Sequence, residues 1–237
     1  MKFEDFLFNL SMGVLNNTMY SRAWKDGVGI EALVPLIEEG LMRLYSRFIL
    51  REKQVIIEMR VGTTFYHFKR MFSVTGADPI QVPYPYIMDL PNEPFVEDVI
   101  KVLRVYDTQD VLRPLNDPNQ INSVFTPQPD ILQNPYPRDL EALLINYQAG
   151  PEPLYTLNGD GNVELVEDFY LPPVLVPALA NYVAYMVYSR INTAEAAGKS
   201  ANHLMIYETI CDDVERMDLV NNSMSCTNTR FDSNGWT

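Results

Sequence analysis

Leu171-Pro172-Pro173-Val174-Leu175-Val176-Pro177-Ala178-Leu179-Ala180-Asn181-Tyr182-Val183-Ala184-Tyr185-Met186-Val187-Tyr188 is the stretch on which the fold of this chain turns. It is the richest apolar run and carries no formal charge. The adjacent Pro172 and Pro173 suit the opening turn of a helix, where backbone N–H groups have no intrahelical partner to lose. Over residues 174–191 the chain is apolar nearly all round, which predicts a helix buried on several sides. Prolines at its start, Asn181 and the tyrosines leave the run short of a membrane-spanning helix. Tyr182, Tyr185 and Tyr188 either fill the core or, because a helix apolar all round must hide a second face, meet a neighbouring subunit.

Toward the C-terminus, Thr193 can cap a further helix over residues 194–219, with an apolar stripe through Leu204, Tyr207, Cys211, Val214 and Met217. Beside it, Glu208, Asp212 and Glu215 form an acidic stripe at i, i+4 and i+7. Like charges at that spacing cost roughly a few tenths of a kcal/mol per pair. Such a stripe is a solvated face or, repeated around a ring, the wall of a negatively charged channel. Residues 221–237 are polar, rich in Asn and Ser, and hold Phe231 and Trp236 near the end. No packed core can be made from them, so they are expected to form an extended arm.

Toward the N-terminus the pattern alternates between helix and strand. Apolar residues at 3, 6, 7 and 10 predict a short helix, and Gly27 and Gly29 mark a loop. Positions 33, 36, 37, 41, 44, 45 and 48 predict a second, amphipathic helix over residues 31–51. After Lys53 the β-branched residues of 54–61 and 63–68 read as two strands around a turn at Gly62. Prolines then crowd the stretch from Pro79 to Pro137, so the middle must consist of short strands and ordered loops. Residues 101–107 and 142–149 are its best strands, residues 95–100 are open to a helical turn, and Asn158-Gly159-Asp160-Gly161 is a tight-turn signal. The expected fold class is α+β: a helical bundle built from N- and C-terminal helices, with a β-rich, proline-rich insertion and an extended C-terminal arm. The shifts in composition divide it into N-terminal bundle helices (1–53), the β-rich insertion (54–170), a C-terminal helix pair (171–220) and the arm (221–237).

Composition narrows the function. The chain has 237 residues, 47% of them hydrophobic, which is enough to bury a real core. A formal charge of −13 argues against tight nucleic-acid binding and against docking on anionic lipid. It leaves open an acidic surface past which DNA slides without sticking. Cys211 and Cys226 are too few for a disulfide framework or a zinc site, and Glu4, Asp5, Asn9 and Ser11 interrupt any secretory apolar run, so a soluble protein is expected.

Enzyme signatures are missing from the sequence. His67 and His203 are its only side chains with an unperturbed near-neutral pKa, and neither has a partner visible in the sequence. No nucleophile elbow, phosphate-binding loop, dinucleotide fingerprint or HExxH helix occurs. Asn158, Asp160 and Asn162 resemble the opening of a calcium loop, but Val163 and Phe169 stand where it needs Gly and Glu. No catalytic, cofactor-binding or metal residue is assigned, and no cofactor is expected. Carboxylates are abundant, so a hydrolase using two of them is a competing reading; a monomeric assembly or binding factor without enzymatic activity is another.

Three segments in order carry a family resemblance. The first is the helix at residues 31–50 leading into strands. The second is Pro94-Phe95-Val96-Glu97-Asp98-Val99-Ile100-Lys101-Val102-Leu103-Arg104-Val105-Tyr106-Asp107, followed by residues 140–149 ending Ile145-Asn146-Tyr147-Gln148-Ala149, similar to a "vxYxA" strand end. The third is Leu171-Pro172-Pro173 with Ala178-Leu179 and Tyr182-Val183-Ala184-Tyr185, which resembles an "LPxxLxxALxxYxAY" helix. Together they resemble the head-to-tail adaptor (connector, tail tubular A-type) proteins of short-tailed bacteriophages, over roughly residues 30–220. The long proline-rich segment 112–137 departs from the shorter adaptors.

The resemblance implies a structural virion protein of the neck or tail, assembled in the host cytoplasm. It implies a homo-oligomeric ring, commonly a dodecamer, between the portal protein and the tail tube or nozzle protein, with DNA passing through the lumen and no membrane partner. In such proteins a terminal arm often locks onto the portal. Thr229, Arg230, Phe231, Asp232, Gly235 and Trp236 are the expected portal-binding residues, unless the segment is a plain terminus. On the same implication Glu208, Asp212 and Glu215 face the channel, and Tyr182, Tyr185 and Tyr188 the subunit interface.

Overall fold

Helix α1 (Phe3–Met12) buries Phe3, Phe6, Leu7 and Leu10, the apolar face its spacing predicts. The computed structural model describes residues 1–22, 25, 29–78, 80–82, 84–138, 141–157 and 163–220. Among these the chain forms a mixed α+β structure with four α-helices and antiparallel sheets. It divides into two compact units: Met1–Leu44 with the chain from Leu154 onward, and Tyr45–Pro153.

In the first unit the N-terminal residues meet the segment that leads into the later helices. Phe3 N–H donates to the Glu167 carbonyl at 2.8 Å, and Phe169 N–H donates to the Met1 carbonyl at 3.0 Å. The Phe169 ring stands edge-on to Phe3 and Phe6, with centroids 6.2 and 5.6 Å away. Helix α2 (Ile30–Arg47) starts after Gly29, whose φ of +85° is the left-handed conformation that glycine adopts without strain. It stops four residues before the end predicted at residue 51, because the first strand begins at Glu52.

Helix α3 (Val176–Ser189) follows a 3-10 turn at Pro173–Leu175, so the prolines sit in an opening turn as predicted. Helix α4 (Ala194–Arg216) is capped by Thr193, whose hydroxyl accepts from Ala196 N–H at 3.1 Å. Helix α2 lies close against α3 at Gly40, where a Cβ would stand 2.6 Å from Leu179 Cδ1 and 2.9 Å from Tyr182 Cδ1. Two short strands, Tyr155–Leu157 and Val163–Leu165, pair antiparallel. The predicted turn Asn158-Gly159-Asp160-Gly161 and the loop glycine Gly27 lie outside the described residues.

The second unit holds two sheets over one core. The larger has strand order β3-β1-β8-β4-β5, with β1 at Glu52–Glu58, β3 at Ile87–Met88, β4 at Val99–Tyr106, β5 at Leu112–Arg113 and β8 at Ala142–Ala149. The smaller has order β2-β7-β6, with β2 at Phe65–His67, β6 at Phe125–Gln128 and β7 at Ile131–Gln133. Val55, Ile57, Val102, Val105, Leu143, Ile145 and Tyr147 from the first share a buried cluster with Tyr66 and Leu132 from the second. Alternation explains it: in β1 Val55 and Ile57 are buried, while Gln54, Ile56 and Glu58 face outward. The central strand β8 pairs with β1 in unbroken register from Glu52↔Gln148 to Glu58↔Ala142, and with β4 through two irregularities.

The strands predicted at 101–107 and 142–149 are present. The two strands read around Gly62 are also present, but they do not pair with each other: β1 joins the five-stranded sheet and β2 the three-stranded one. The six residues between them, 59–64, form a longer connection, and the Tyr66 hydroxyl accepts from Arg60 N–H at 2.8 Å within it. Residues 95–100 form no helical turn: Glu97 takes a φ of +62°, and strand β4 begins at Val99.

Candidate functional site

Helices α3 and α4 carry most of the predicted site residues. Tyr182 is fully buried: its ring packs 5.3 Å from that of Tyr207, the Arg43 guanidinium lies 5.0 Å over it, and its hydroxyl donates to Glu39 Oε1 at 2.6 Å. Burial first, then the hydrogen bond to Glu39, pushes this phenol well above the ordinary tyrosine value. Tyr188 is also buried, and its hydroxyl donates to the Val14 carbonyl at 3.3 Å. Of the two readings open for these tyrosines in the sequence, core or subunit interface, Tyr182 and Tyr188 take the core one. Their side chains are consumed by the core of the chain itself, and only Tyr185 is left half-buried.

Glu208, Asp212 and Glu215 are exposed along one side of α4, while Tyr207, Cys211 and Val214 of the same helix are buried. Heptad-like spacing separates the two stripes as the sequence predicts. Met217 departs from the apolar stripe and is 59% exposed, because α4 ends at Arg216. Thr229, Arg230, Phe231, Asp232, Gly235 and Trp236 of the predicted portal arm, and Cys226, lie outside the described residues.

The histidines have structural partners that the sequence did not reveal. His203 Nδ1 lies 2.9 Å from Asn181 Oδ1, and its ring stacks on Tyr188 at 5.5 Å with only 7° between planes. The Asn181 amide nitrogen already donates to the Pro177 carbonyl at 2.8 Å, so its oxygen faces the imidazole and Nδ1 carries the proton. Burial, and secondarily the Lys199 charge, hold the His203 pKa below its usual value. His67 sits in β2, where its backbone N–H donates to the Tyr86 hydroxyl at 2.9 Å and its ring lies 6.4 Å from that of Phe72. Burial pushes the Tyr86 phenol up to about 12.

The β unit brings together two polar clusters that sequence reasoning missed. In the first, Asp98 accepts from Lys53 Nζ at 2.6 Å and from the Tyr147 hydroxyl at 3.1 Å. Burial and the adjacent Asp98 push the Tyr147 phenol far up, so it stays protonated and acts as a donor, never as a base. In the second, the Arg113 guanidinium bonds Glu141 and lies 3.4 Å from Asp107. Both clusters clamp strands: the first ties β1, β8 and the segment before β4, and the second ties β5 to the chain entering β8. Asp98 and Tyr147 both stand in the quoted middle segments, but nothing in their spacing of 49 signals a contact.

Among the described residues, no group of three or more His, Cys, Asp and Glu side chains could hold a metal ion, and no helix is long and apolar enough to cross a membrane. No protein-family model matches the chain, and no curated protein matches it in sequence.

Proposed function

We propose that this chain is a structural virion protein: the head-to-tail adaptor ring that joins a phage portal to the tail tube or nozzle and lines the DNA exit channel. In this reading the helical unit is a bundle built from both ends of the chain, and the β unit is inserted into it. The observation that carries the proposal is the return of the chain, at Leu154, to the unit begun by Met1–Leu44. That order matches the adaptor pattern of helix, β-rich middle and helix pair on which the sequence resemblance rests. The exposed acidic stripe of α4 adds support, because a row of carboxylates repeated around a ring repels a DNA backbone and lets it slide. Of Tyr182, Tyr185 and Tyr188, Tyr185 alone keeps surface for a neighbouring subunit, and Thr229, Arg230, Phe231, Asp232, Gly235 and Trp236 are proposed to anchor on the portal.

Sedimentation of the chain alone and mixed with purified portal tests this reading. A portal-dependent shift to a ring-sized species is the expected result. A chain that stays monomeric beside portal would favour the monomeric assembly or binding factor instead.

A further inference from the structure

We propose that the open edge of strand β1 is a docking slot for an extended peptide segment of a partner protein, one that places a basic residue next to a bulky apolar one. Strand β3 pairs with β1 only at Ile56↔Met88 and Ile57↔Ile87, whereas β8 pairs with β1 along its whole length. Backbone groups of an antiparallel strand alternate between its two sides. Glu58 N–H bonds the Tyr86 carbonyl on the β3 side at 2.9 Å, and Met59 N–H bonds the Glu141 carbonyl on the β8 side at 2.7 Å. The same alternation aims the backbone of Gln54 toward the β3 side, where no strand stands among the described residues.

The chain leaves the sheet there for identifiable reasons. The Asp89 carboxylate accepts from Thr75 N–H at 3.0 Å, from Phe95 N–H at 2.8 Å and from the Thr75 hydroxyl, which pulls the segment after Met88 away from β1. Burial alone would raise the Asp89 pKa, but these bonds outweigh it and hold the carboxyl below its ordinary value, so it stays charged. Pro91 has no N–H to give a ladder, and Glu93 N–H closes a turn onto the Leu90 carbonyl at 3.0 Å.

A cavity of about 300 Å³ opens beside the unpaired edge, with Gln54, Ile56, Met88, Leu90, Phe95 and Leu144 in its lining. An open backbone edge recognises another extended backbone, and an apolar recess beside it takes a side chain. Asp89 and Glu93 also line the cavity, while the one lining cation, Lys53, is bound to Asp98 at 2.6 Å. The charge left over is negative and selects a basic residue. A second copy fits poorly, because it brings a whole sheet to a recess bordered by the turn at Leu90, Glu93 and Pro94. A single extended segment fits where a sheet does not.

Fluorescence polarisation on the full chain tests the slot with three labelled synthetic peptides: TVTRFTV, its acidic form TVTEFTV and its strand-breaking form TVPRFPV. TVTRFTV is expected to bind saturably, with the other two at least about ten-fold weaker. Gln54→Pro removes the N–H aimed into the slot while the ladder to β8 uses its neighbours, and is expected to weaken TVTRFTV about ten-fold. Glu93→Lys keeps the test decisive should Gln54→Pro unfold, and is expected to shift the preference toward TVTEFTV. No saturable binding, equal binding of all three peptides, or an unchanged preference in Glu93→Lys would overturn the proposal.

Discussion

The helical unit and the β unit are built from the same kinds of residue, yet they hide their organisation in different places. In the helical unit, the buried faces follow local periodicity: Phe3, Phe6, Leu7 and Leu10 share a face because three and four residues make a turn. In the β unit, contacts follow pairings between residues far apart in sequence, such as Ile57 with Leu143. Local order is written in the spacing of side chains; strand partnership depends on how distant segments compete for the same edge.

The largest effect expected from this contrast lies in the helical unit. Tyr182→Ala should cost about 3–5 kcal/mol in urea unfolding, the range for emptying a fully buried aromatic site. A loss under about 1 kcal/mol would return Tyr182 to the surface and to a subunit interface, breaking the comparison. Next comes the β unit, where Arg113→Met leaves Glu141 and Asp107 without their cation in a site whose side chains are 11–18% exposed. A cost of about 3 kcal/mol is expected, because removing one partner of a buried pair strands the other charge. An effect near zero would mean that the strands hold by packing alone.

The smallest effect is a pH dependence centred on His203. Its folded pKa lies below the unfolded value, so near and below pH ~6.5 the unfolded chain binds the extra proton more readily. The stability linked to this group is complete above that pH and declines as the pH falls toward the folded value. His203→Gln should flatten the difference in urea midpoint between pH 7.5 and pH 5.5, a comparison that locates the α3–α4 contact in this titration. An unaltered difference would place the acid sensitivity elsewhere.

Legibility followed the same division. The α1 face, the α3 prolines and the Thr193 cap were all readable, because each depends on neighbours within about a turn. Strands β4 and β8 were readable from their branched residues, but the separate sheets of β1 and β2 were not, since a glycine turn between two strands looks like a hairpin from either side. The acidic stripe of α4 was readable as a pattern, whereas the burial of Tyr182 and Tyr188 depends on Glu39, Arg43 and Val14, which periodicity cannot bring near. The Asp98 and Arg113 clusters were invisible for the same reason.

The adaptor assignment is tested most directly by electron microscopy of the chain with purified portal, beside each component alone. An added annulus on one face of the portal, with the portal's rotational order or a simple relation to it, is the predicted result. A bare portal beside dispersed monomers at saturating concentration would contradict it.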